Sequence, residues 1–149
     1  MPTRRSILTT AAVLPLVAVP APAAQPGVFA PGGVAINGYD PVAYFTDDGP
    51  LKGRADHSLD WNGATWHFAN AHNRAVFAAD PEGFAPQYGG YCAYAVSEGY
   101  TAKTDPYAWA LHGGKLYLNY SRRVHRIWSR DIPGRIARGD ANWPGVLGQ

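Results

Sequence analysis

Residues 57–68 read HSLDWNGATWHF, and this stretch decides the fold. Asn62-Gly63 suits a two-residue hairpin turn, whose central positions both need positive φ. With that turn Trp61 faces Ala64, Leu59 faces Trp66 and His57 faces Phe68. Alternation then puts His57, Leu59, Trp61, Trp66 and Phe68 on one side, and Ser58, Asp60, Thr65 and His67 on the other. One side is apolar and the other polar, so the register is well specified. His57 is the single polar residue on the apolar side.

Working outward, Asn70 is placed to cap a helix that carries Val76 and Phe77 inward and stops before Pro81. Asp80-Pro81 then starts a further short turn ending near Phe84. The same order recurs in YAWALHGGKLYLNY, residues 107–120. A turn at Gly113-Gly114 or one residue earlier gathers Tyr107, Trp109, Leu111, Leu116 and Leu118 on one side. Ser121 caps a helix with Val124, Ile127 and Trp128 at helical spacing, and Asp131 falls 51 residues after Asp80. Upstream, Asp40-Pro41 in INGYDPVAYF marks the start of another short helix. The alternation predicts a small single α+β domain of antiparallel hairpins, each followed by a helix, with a two-fold repeat of the hairpin–helix unit as one possibility. Between the units lies PQYGGYCAYAV, residues 86–96, whose alternation predicts a strand with Cys92 and Val96 on one face.

The chain opens with Arg4-Arg5, an apolar run from Ile7 to Pro20 and a small-residue pattern at Ala21-Pro22-Ala23. This is the arrangement of a secretory signal, and TRRSILT resembles the twin-arginine export signal. The run is shorter than the roughly 20 residues of a membrane span. The expected organisation is a signal peptide over 1–24, a Pro/Gly-rich linker over 25–33 and a domain over 34–149, with a periplasmic location. Two of the 13 Lys and Arg lie in that signal, leaving 11 against 11 Asp and Glu. A neutral exported domain argues against a nucleic-acid partner. Arginine is nevertheless crowded at 122, 123, 126, 130, 135 and 138, which is either a solvated helix face or a docking surface for an acidic protein or lipid headgroups. A lone cysteine excludes an internal disulfide.

The stretches DPVAYF, WNGATWHFANAHNRAVFAADPEGFAPQYGGYCAYAV, GGKLYLNY and ANWP resemble, in order and spacing, the exported YHS-domain proteins of bacteria. The resemblance covers nearly all of the chain after the signal. It implies a small α+β module related to the YHS and TRASH-like domains of heavy-metal pumps, whose cysteines are assigned to metal binding. That pattern reads DPVC…YNGKTYYFC…C…F…P…Y, and this chain departs from it at all three cysteines. Ala43, Ala69 and Asn73 stand there instead, with His72 beside the lost helix cysteine.

What remains is Cys92, for which three readings stay open. As a ligand it would bind copper or zinc, with His57 the best-oriented partner and His72 a further candidate. As a nucleophile it would need a base within hydrogen-bond reach, which no local pattern supplies. As a small buried apolar residue it needs nothing. The functional expectation is therefore an exported YHS-like binding module, handling metal through Cys92. The alternatives are a structural or protein-interaction module and a thiol-dependent enzyme.

Overall fold

The structure, a computed structural model, describes residues 10–15, 24–46 and 49–148. The segment read as a signal peptide lies mostly outside the described residues; within it, 10–15 form no helix or strand and are exposed. The elements are α1 (Ala43–Thr46), β1 (Arg54–Trp61), β2 (Ala64–Phe68), α2 (Ala71–Ala79), α3 (Pro81–Phe84), α4 (Ala93–Ser97), β3 (Asp105–His112), β4 (Lys115–Asn119), α5 (Arg122–Trp128) and α6 (Ile132–Asn142). Short 3₁₀ turns join them. β1 pairs with β2 and β3 with β4, giving two separate antiparallel hairpins in an α+β domain.

Asn62 and Gly63 take the positive φ values that the turn demands, 52° and 79°. Trp61 pairs with Ala64 and Leu59 with Trp66, as the alternation predicts. Beyond Ser58 the register shifts, and Phe68 pairs with Arg54 rather than His57. Next to the shift, Gly53 packs on the backbone of His67 so closely that a Cβ there would sit 2.5 Å from its carbonyl carbon. The shift is a bulge in β1, and His57 lies on it in a half-buried position.

The second hairpin repeats the first with an offset of 51 residues, down to this irregularity. Arg54↔Phe68 becomes Asp105↔Asn119, Leu59 and Trp66 become Ala110 and Tyr117, and the shift falls between Asp105 and Trp109. The caps repeat too. Asn70 Oδ1 accepts from Asn73 N at 2.8 Å and Ser121 Oγ from Val124 N at 3.1 Å. Asp80 accepts from Gly83 N at 3.2 Å and Asp131 from Gly134 N at 3.1 Å.

Upstream of the hairpins the offset is 52. AINGYD (35–40) matches QYGGYC (87–92), with left-handed backbone at Ile36 and Asn37 in one copy and at Tyr88 and Gly89 in the other. Asp40 N donates to Leu51 O at 2.9 Å, and Cys92 N donates to Ala102 O at 3.0 Å. The chain after Cys92 is therefore helix α4, not the predicted strand. Six residues of alternating small and aromatic side chains fit either period, and the cap at Cys92 selects the helix.

The copies differ in how they are buried. In β2 buried and half-buried positions alternate, whereas Leu116, Tyr117, Leu118 and Asn119 of β4 are all buried. Leu116 and Leu118 join the cluster of Trp66, Phe68, Phe77 and Tyr44, while Tyr117 joins Tyr88, Val96, Trp128 and Val146. β4 thus lies between two apolar clusters and unites the halves. Residues 25–33, expected to be a linker, belong to the packed domain. Val28 is buried, Phe29 N donates to Gly89 O at 2.9 Å, and Tyr91 Oη donates to Pro26 O at 2.7 Å.

In the first copy the ends of α1, β2 and α2 meet on Asp40, which is fully buried. One carboxylate oxygen accepts from Val42 N and Ala43 N at 2.8 and 3.3 Å. The other accepts from Ala69 N at 2.9 Å and Asn73 Nδ2 at 2.8 Å. Removing the acceptor strands four donors, three of them buried. Asp40→Ala is expected to lose at least about 3 kcal/mol of stability in urea unfolding; a loss below about 1 kcal/mol would show that these bonds do not hold the first copy together.

Candidate functional site

Cys92 stands where Asp40 stands in the first copy, and it inherits the same duties. Its Sγ accepts from Ala95 N at 3.5 Å, as an N-cap, and from Tyr120 N at 3.2 Å. Tyr120 lies 51 residues after Ala69, whose N–H meets Asp40. A single sulfur cannot replace both carboxylate oxygens, and Asn119 supplies the difference. Its Oδ1 accepts from Tyr94 N at 3.0 Å and lies 3.6 Å from Sγ. Tyr94 is the counterpart of Val42, so each N–H keeps an acceptor. Asn119 Nδ2, fully buried, has no hydrogen-bond partner.

The fourth contact is missing. Asn73 reaches Asp40 with its amide, but its counterpart is Val124, which cannot donate. A cavity of about 220 Å³ opens there instead, lined by Cys92, Tyr94, Ala95, Tyr100, Ala102, Tyr120 and Val124. Tyr100 and Tyr120 are about half exposed at 50% and 47%, so they form its outer wall. Arg135 lies over the Tyr94 ring at 4.4 Å and Lys103 over that of Tyr120 at 5.5 Å. The thiol itself is 1% exposed. Burial pushes its pKa up, against the opposing pull of the N–H groups of Ala95, Tyr120 and Tyr94.

The predicted site residues are not assembled around Cys92. His57 lies on the β1 bulge and His72 is exposed on the first turn of α2. Neither lines the cavity nor bonds to Sγ. Among the described residues no three His, Cys, Asp or Glu side chains come together as a metal-binding group. His67 sits against Gly38. His112 is exposed at the second turn, and His125 stacks on Trp128 with its centroid 6.2 Å away. Burial and the charge of Arg126 lower the pKa of His125.

The positions Ala43, Ala69 and Asn73, marked by the YHS-type pattern, do converge: all three donate to Asp40. Their counterparts Ala95, Tyr120 and Val124 all line the Cys92 cavity. Residue-by-residue reading missed Asn119, Tyr100, Tyr120 and Val124. The 51–52-residue offset, which pairs YGGYC with INGYD, finds Tyr120 and Val124 as the counterparts of Ala69 and Asn73; it marks neither Asn119 nor Tyr100. No known protein family, curated protein or solved structure matches this chain.

Because the folded thiol is buried and holds its proton above the ordinary value, little thiolate is available near neutrality. Iodoacetamide at pH 8 is expected to alkylate Cys92 at least about tenfold more slowly in the folded protein than in urea. Equal rates would mean that Sγ is not held as described. The same shift has a stability consequence. The unfolded thiol ionises first, so the contribution of Cys92 is complete below about pH 8.5 and is lost as pH rises from there through the folded pKa.

Proposed function

We propose that this protein is an exported, periplasmic YHS-like binding module, and that its ligand is a soft metal ion, Cu(I), taken at Cys92. The observation that carries the reading is the exchange at one position of a repeated frame. Asp40 is tied on every side, whereas Cys92 presents a sulfur with two backbone donors to a cavity of about 220 Å³. The N–H groups directed at sulfur oppose the burial that raises its pKa, and the thiolate is the form that binds metal.

A structural zinc site needs four N, S or O ligands, and the residues around Cys92 do not fit one. Cu(I) is selected by soft sulfur, and Tyr94, Tyr100 and Tyr120 line the cavity beside it. Cys92 would hold the ion and the tyrosines would shield it from water. The cavity also lies at the second-copy counterpart of the positions that the YHS resemblance marks for metal.

A second reading is favoured by the exposed rings of Tyr100 and Tyr120. The cavity could instead accept an apolar side chain of a protein partner, making the domain an interaction module. A thiol enzyme is less well supported, because neither histidine nor carboxylate lines the cavity to serve as a base.

Titration of the reduced, full-length protein with Cu(I) under a competing chelator tests the proposal. The wild type is expected to take up one ion per chain and Cys92→Ser none, with circular dichroism confirming that both are folded. No uptake by the folded wild type, or equal uptake by Cys92→Ser, would reject Cu(I) at this site.

A further inference from the structure

The arginines of the second copy form an ordered stripe. The turn after α5 stays in right-handed helical geometry through Ser129, so residues 122–130 make one nearly continuous helical run. At 100° per residue, Arg122, Arg123, Arg126 and Arg130 fall within a 100° arc, and Arg122 and Arg130 are about 12 Å apart along the axis. Val124, Ile127 and Trp128 lie on the opposite side, with Trp128 in the core. All four arginines are exposed. Among the described residues, the arginines in ion pairs are Arg54, with Asp56, and Arg135, with Glu98. The stripe is therefore unneutralised.

The internal repeat supplies a control. The counterparts of these four positions on the first copy are Ala71, His72, Ala75 and Ala79. The same helix, with the same cap and the same inward face, folds with no arginine at any of them. The scaffold does not require the stripe. The charge of the copies diverges accordingly: residues 98–149 hold eight Lys and Arg against four Asp and Glu, and residues 25–97 hold three against seven.

We propose that this stripe docks the domain on an anionic phospholipid surface. The four arginines are exposed along one helical face, an array able to meet several phosphates of a lipid surface at once. Guanidinium groups pair with phosphate through parallel N–H bonds. Beside the stripe, Arg122 lies over the ring of Tyr107 at 5.6 Å, and Tyr107 is half exposed. An exposed tyrosine next to basic residues matches the headgroup layer, where one end of the ring is apolar and the other wet.

The test is co-sedimentation of the full-length protein with vesicles of 30% phosphatidylglycerol in phosphatidylcholine, and with pure phosphatidylcholine. Wild type is compared with the variant carrying Arg122→Gln, Arg123→Gln, Arg126→Gln and Arg130→Gln. A control variant removes Lys52, Arg54 and Arg74 from the first copy. The stripe variant is expected to partition at least about tenfold more weakly than wild type onto the anionic vesicles at 50 mM salt. The control variant should stay within about twofold of wild type, and 0.5 M salt should abolish the difference. On pure phosphatidylcholine all forms should match, which sets the background from the apolar N-terminal run. Equal partition of wild type and stripe variant onto anionic vesicles would overturn the proposal. So would retention on immobilised polyglutamate without vesicle binding, which would assign the face to an acidic protein.

Discussion

Four hydrogen-bond donors from separate parts of the chain end on the buried carboxylate of Asp40, and the first half of the domain is organised around that convergence. A buried carboxylate is costly unless its oxygens are satisfied. Here three backbone N–H groups and one side-chain amide do so, and each comes from the end of an element that would otherwise leave a donor unpaired. The same group fixes the start of α1, the exit from β2 and the first turn of α2. Positions of elements and identity of the acceptor are therefore one constraint.

The second copy solves the same geometric problem with different atoms. Cys92 and Asn119 divide between them what one carboxylate does alone, and Val124 leaves unfilled the place that Asn73 occupies. The frame is retained while the chemistry at its centre changes from a closed, fully bonded acid to a soft sulfur beside a cavity. A parallel divergence appears on the helices that follow, where alanine and histidine on one copy correspond to arginine on the other. The first copy keeps its central acid closed, and the second places a sulfur beside a cavity and four exposed arginines on its helix.

Much of this frame was legible in the chain. Asn62-Gly63, Asn70, Asp80, Ser121 and Asp131 act locally, through φ preference and side-chain caps, so their roles could be read one residue at a time. His57 was misplaced because β1 bulges between Arg54 and Ser58, a register shift between strands that no local pattern announces. The stretch around Cys92 was misread as a strand because sulfur is not an expected cap, and YCAYAV is too short to separate the two periods. Residues 25–33 look like a linker by composition, yet glycine and proline there allow the chain to lie against Gly89, where a Cβ would strike the Gly27 carbonyl. Tyr120 and Val124 carry no chemical signature of their own and are marked only by the repeat, while Asn119, the counterpart of Phe68 in the first copy, is marked by neither.

The central claim is that Cys92 is the working counterpart of a structural Asp40. Amide resonances measured by nitrogen–proton correlation spectroscopy during Cu(I) addition test it most directly. The account predicts that the amides of Ala95 and Tyr120, which donate to the sulfur, shift most, while those of Val42, Ala43 and Ala69, which donate to Asp40, stay in place. Shifts confined to the first copy, or spread over both without preference for Ala95 and Tyr120, would contradict it.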